Sequence, residues 1–227
     1  MSTSPARDDL FTLIHKALRA GLFAAATEAG RIDWEDPVQA KAFRRDWERV
    51  VVLLQSHAKH EDDHIWPLLE AKRPGAVAEL GIAHEPVDAD LDLVDAEFEA
   101  VMRNPGPATG LTFYRALTRF IAHAMDHFAA EEPAVMEMMW ALCTDDELAA
   151  CRSAFMAEIS PQERATTFEL MLESCTTAEL AVVVQKLRAG MPPEAFESWA
   201  AELEGTLPAG PVARLRAVLA GPVLSLH

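Results

Sequence analysis

The chain reads as an all-α protein, an up-down four-helix bundle followed by a smaller helical extension. Three observations carry that reading. Apolar residues recur at spacings of three and four, and no stretch alternates with period two over a strand length. The breaks between periodic stretches are short and carry Gly, Pro and Asn. Half of the 227 residues are apolar, enough for a sizeable core.

The bundle helices are placed at 7–29, 38–71, 82–103 and 109–141. Loop chemistry separates them: Gly30 to Pro37, then Arg73-Pro74-Gly75, then Asn104-Pro105-Gly106-Pro107. Pro86 sets the start of the third helix near His84, and Pro133 predicts a kink or an early end in the fourth. These helices make a domain over 1–142, and 143–227 forms the extension. Its helix starts are well marked, because Thr144 with Glu147, Ser160 with Glu163 and Thr176 with Glu179 each spell a capping box. Pro161 follows Ser160 at the position where a helix tolerates proline best.

Composition excludes several function classes. The net charge is −16 and is spread along the chain, which disfavours nucleic acid and anionic membranes as partners. The extension carries 6 Lys+Arg against 12 Asp+Glu, so it is no DNA-binding module. No apolar run reaches membrane-spanning length, and the polar stretch Met1 to Asp9 leads into no signal core. A cytoplasmic location is expected. Cys143, Cys151 and Cys175 are an odd set with no metal-type spacing and read as buried thiols.

The core-facing stripes carry the chemistry. They are Phe11, His15, Leu18, Leu22; Trp47, Val50, Leu54, His57, Glu61, Ile65, Leu68; His84, Val87, Leu91, Val94, Phe98, Val101; and Leu117, Ile121, Ala124, His127, Glu131, Val135, Met138. Each is apolar except at its histidine, and the second and fourth add a glutamate one turn on. A buried carboxylate costs several kcal/mol unless it is compensated. Two of them, at the depth of four imidazoles, point to cations. The i,i+4 spacing of His57–Glu61 and His127–Glu131 puts each pair on one helix face. The order lone His, then HxxxE, occurs twice, with separations of 42 and 43 residues, so two equivalent halves face one another around a site for two metals. Mixed imidazole and carboxylate donors suit Fe, Mn or Zn and disfavour Mg or Ca. Four His and two Glu leave coordination positions open for solvent, O2, peroxide or NO.

These residues resemble the hemerythrin-like, or HHE cation-binding, family. The resemblance rests on Ile14-His15-Lys16, on His57-Ala58-Lys59-His60-Glu61-Asp62 running into Ile65-Trp66-Pro67-Leu68, on Ala83-His84-Glu85, and on His127-Phe128-Ala129-Ala130-Glu131-Glu132. It covers roughly residues 8–142. It implies a hemerythrin-like bundle holding two iron ions, oxo- or hydroxo- and carboxylate-bridged, in preference to Mn or Zn. The implied ligands are His15, His57, Glu61, His84, His127 and Glu131. It further implies a protein that binds or reacts with O2, peroxide or nitric oxide, in oxygen or redox sensing, storage or detoxification. The family's oxygen carriers use five histidines, with an extra ligand on the third helix. Here that helix offers only His84, with Asp88 one turn on, which favours reaction over storage.

Of the neighbouring groups, His60 reads as a surface residue, and His64 and His123 read as second-layer or alternative ligands. Asp62 and Glu132 read as outward-facing charge. Trp66, Met125, Met138 and Met139 read as core. Beside the binding protein stand two alternatives. One is a di-iron oxidase or oxygenase whose C-terminal helices cover a pocket for a small organic substrate. The other is a structural bundle with a zinc or vacant site.

Overall fold

The computed structural model describes residues 7–81 and 85–220, without the side chains of Glu85, Pro86 and Asp88. His84 therefore lies outside the described residues, as does the side chain of Asp88. The described residues contain helices and no strand.

The bundle consists of α1 (Thr12–Ala29), α2 (Pro37–His60), a π-helical turn (Glu61–Ile65) running into α3 (Trp66–Lys72), a short α4 (Ala76–Leu80), α5 (Glu85–Arg103) and α6 (Pro107–Leu142). Then come α7 (Asp145–Glu158), α8 (Pro161–Ser174), α9 (Thr177–Gly190), α10 (Pro193–Thr206) and α11 (Ala209–Leu219).

Local chemistry accounts for most boundaries. The first helix begins at Thr12 instead of residue 7, because the Asp9 carboxylate accepts from the backbone N–H groups of Phe11 and Thr12. Asp36 caps α2 in the same way, with Pro37 directly behind it. All three capping boxes form with both reciprocal hydrogen bonds. The unforeseen α4 sits between Gly75 and Gly81, at φ 87° and 63°, a left-handed backbone that suits glycine. α6 runs to Leu142 with Pro133 inside it, so the proline does not end the helix. It withholds one N–H from the ladder, and the packed flanks Glu131, Val135 and Met136 hold the helix together.

The second helix shows the largest departure from regularity. Past Glu61 the hydrogen bonding widens, and the Trp66 N–H donates to the Glu61 carbonyl five residues back. In a straight α-helix the Pro67 ring would press on the carbonyl of Asp63, and the wider turn relieves that clash. One residue is thereby absorbed into the turn. The buried face then resumes at Leu69, fully buried, where regular spacing predicts Leu68.

α5 lies along α6, α1 packs on α2 and α6, and α8 packs on α1 and α2. One apolar core runs without a break from Leu18, Leu22 and Trp47 of the bundle into Phe168, Leu172 and Leu180 of the later helices. At its far end Trp34 packs edge-on against Phe43 and Phe113, and Gly110 makes the room: a Cβ there would lie 2.3 Å from the Trp34 ring. A second apolar cluster gathers Phe11, Ile65, Leu69, Val135, Met136, Met139 and Leu148. Among the described residues no helix is long and apolar enough to cross a membrane.

Candidate metal centre

The gap between the two apolar clusters is where the polar residues lie. From the N-cap of α1 the order is Phe11, His15, Leu18, with the first in one cluster and the last in the other. Along α2 and the π turn it is Leu54, His57, Glu61, Ile65, and on α6 it is Phe128, Glu131, Val135. The helices thus bring one polar layer to a common level, sealed above and below. His15 and Glu131 are wholly buried, Glu61 is 1% exposed, and the His57 and His127 side chains are each 10% exposed.

His15, His57, Glu61 and Glu131 each bring one donor atom into a group whose members lie within 4.8 Å of one another. The His15 and His57 Nε2 atoms are 2.8 Å apart. His57 Nε2 lies 2.9 Å from Glu61 Oε1, and His15 Nε2 lies 3.5 Å from Glu131 Oε2. His127 joins from the other side, with its Nε2 3.0 Å from Glu131 Oε1. Glu131 therefore faces His15 with one oxygen and His127 with the other. Two nitrogens that bind one ion at right angles, each about 2.1 Å away, stand about 3.0 Å apart. The spacing found fits that requirement, and the donor set is the mixed imidazole and carboxylate type that first-row transition metals prefer. No thiolate competes: the three cysteines are free and buried, and burial pushes the Cys151 thiol up to about 12.

Burial, reinforced by the neighbouring His57, pushes His15 down to about 2. It is a neutral imidazole at ordinary pH. Its Nδ1 lies 3.1 Å from Glu132 Oε1, which is also the acceptor for Arg19 Nη1. A proton on Nδ1 leaves the Nε2 lone pair facing the cluster, which is the tautomer a cation needs. The ring also stacks on Phe128 at 4.3 Å between centroids, which fixes its plane. Glu132 is thus turned inward, against the expectation of outward charge. The contact depends on α1, and no spacing within α6 announces it.

The other neighbours do not join the cluster. His123 pairs with Asp90 across α5 and α6 and is largely exposed. His64 turns to Glu158 of α7, with Nε2 3.1 Å from a carboxylate oxygen. His60 is half-buried and not a free surface residue, because its ring stacks on Phe155 of α7 with an interplanar angle of 8°.

Two cavities adjoin the layer. The smaller, about 50 Å³, is lined by Leu54, Val87, Leu91, Phe120 and Phe128 together with His57, Glu61 and His127. The larger, about 220 Å³, lies between the bundle and α7, α8 and α9, and it too includes His57 and Glu61 in its lining.

A family model described as Hemerythrin HHE cation binding domain matches residues 7–139. No curated protein and no solved structure matches significantly.

Proposed function

Because the chain belongs to the hemerythrin HHE cation-binding family, we propose that it is a non-haem di-iron protein that binds or reacts with O2, peroxide or nitric oxide. The observation that carries the reading is the convergence of His15, His57, Glu61 and Glu131 in one sealed layer, with His127 against Glu131. In this reading His15, His57 and His127, with His84 just ahead of α5 in the sequence, would hold the ions through their imidazoles. Glu61 and Glu131, each with two oxygens to offer, would supply the carboxylates. The small cavity beside His57, Glu61 and His127 has room for a diatomic or a peroxide and little more. Bound iron would supply redox and Lewis-acid chemistry there. The chain's own part is to keep His15 neutral by burying it, to set its Nδ1–H tautomer through Glu132, and to keep bulk water out with Phe120 and Phe128. Three unpaired buried thiols accord with a reducing, cytoplasmic setting.

A second reading is favoured by the larger cavity: a di-iron oxidase or oxygenase acting on a small organic substrate held under α7, α8 and α9. Its lining includes His57 and Glu61, so a molecule lodged there touches the same residues.

The test is to purify the chain from iron-supplemented cells, measure metal per chain, and record visible spectra under argon, then air, then peroxide. Near two irons per chain with a visible band that forms in air is the expected result. A band reversed by removing O2 assigns binding, and one that decays with peroxide loss assigns reaction. One zinc per chain, or no metal, refutes the di-iron proposal.

A further inference from the structure

The larger cavity is apolar over most of its wall, with Leu13, Ile14, Leu53, Phe155, Phe168 and Met171 among its lining residues. Three cations also line it, one from each covering helix: Arg152 on α7, Arg164 on α8 and Lys186 on α9. Their partners differ. Arg152 and Lys186 share the carboxylate of Asp8. The carboxylate of Asp9, also in the lining, is engaged by the first turn of α1. Arg164 has no carboxylate partner among the described residues. Its Nη2 reaches the Ile159 carbonyl at 3.4 Å, and its Nε is buried with no hydrogen-bond acceptor. A half-buried guanidinium whose buried Nε has no acceptor is costly, and the acceptor that suits its fork best is a carboxylate or another oxyanion.

We propose that this cavity binds a small amphipathic carboxylate, with the carboxylate on Arg164 and the apolar body among Leu53, Phe155 and Phe168. One unmatched cation calls for a monoanion, since a dianion would leave a second charge buried without a partner. The apolar wall calls for a hydrocarbon or aromatic body, not a sugar or an amino acid. As a binding site the cavity is independent of the metal. As a substrate site it rests on the oxygenase reading, because His57 and Glu61 share the same space.

The experiment is calorimetric titration of the full chain, metal-loaded and metal-free, with octanoate and with octan-1-ol. Octanoate should bind at least about tenfold more tightly than the alcohol, the factor a charge-assisted hydrogen bond supplies. Arg164→Gln should lose about tenfold for octanoate and nothing for octan-1-ol. Val183→Trp, which fills the cavity from α9, should weaken both while metal per chain stays unchanged. Equal affinity for acid and alcohol overturns the proposal, and so does undiminished octanoate binding by Arg164→Gln. The first comparison uses the unaltered chain, so it decides even where Arg164→Gln fails to fold. Octanoate binding by a chain that takes up no iron supports the site and removes the di-iron readings, the oxygenase included.

Discussion

Replacing Glu132 by leucine probes the one contact at the candidate metal centre that no pattern within α6 announces. Glu132 accepts from His15 Nδ1 at 3.1 Å and thereby points the Nε2 lone pair at the cluster. A carboxylate behind a metal-binding histidine typically contributes about 10- to 100-fold in metal affinity. Here its side chain is 26% exposed and shared with Arg19, so solvent and a competing cation both screen it. The lower end applies, about tenfold or ~1.4 kcal/mol. The assay is a chelator competition titration with Fe(II) under argon on wild type, Glu132→Leu and Glu132→Gln. Glutamine can still accept from Nδ1 through its amide oxygen, so it should lose less than leucine. Thermal denaturation of the metal-free chains separates affinity from folding. Equal affinity in wild type and Glu132→Leu would refute the reasoning and leave His15 oriented by Phe128 alone.

Other substitutions follow from packing and from the buried ionisable groups. Gly110→Ala should destabilise the fold by about 1–3 kcal/mol in a denaturant titration, because the new methyl meets the Trp34 ring. Thr176→Ala should cost about 1 kcal/mol by removing the acceptor for the Glu179 N–H at the start of α9, and unchanged stability would discount that cap. His60→Ala should keep its full metal content yet lower the melting temperature, since the ring it removes is stacked on Phe155; loss of metal would make His60 a ligand. The thiol of Cys151 is raised to about 12, so at pH 8 the thiolate is roughly one part in ten thousand. A disulfide-exchange reagent should therefore leave Cys151 unlabelled until guanidinium unfolds the chain, and rapid native labelling would contradict its burial.

The stripes were legible because their cause is local. Helical spacing places His15, Glu61 and Glu131 on faces that also carry Leu18, Ile65 and Val135, and only burial of those faces was needed to bring them together. The capping boxes were legible for the same reason, since every atom involved lies within four residues. What escaped depends on contacts between distant parts of the chain or on a change of helical period. The π turn moves the buried position from Leu68 to Leu69, and its only trace in the sequence is Pro67. Glu132 faces inward only because α1 presents His15 and Arg19 to it. His60 looked exposed because Phe155, which covers it, is supplied from α7.

His57 and Glu61 line both cavities. The pair is therefore a shared wall, with a small chamber on the bundle side and a wider one beneath the C-terminal helices. Under the proposed oxygenase reading, two reactants of different size would come to that wall from opposite sides and meet only across it.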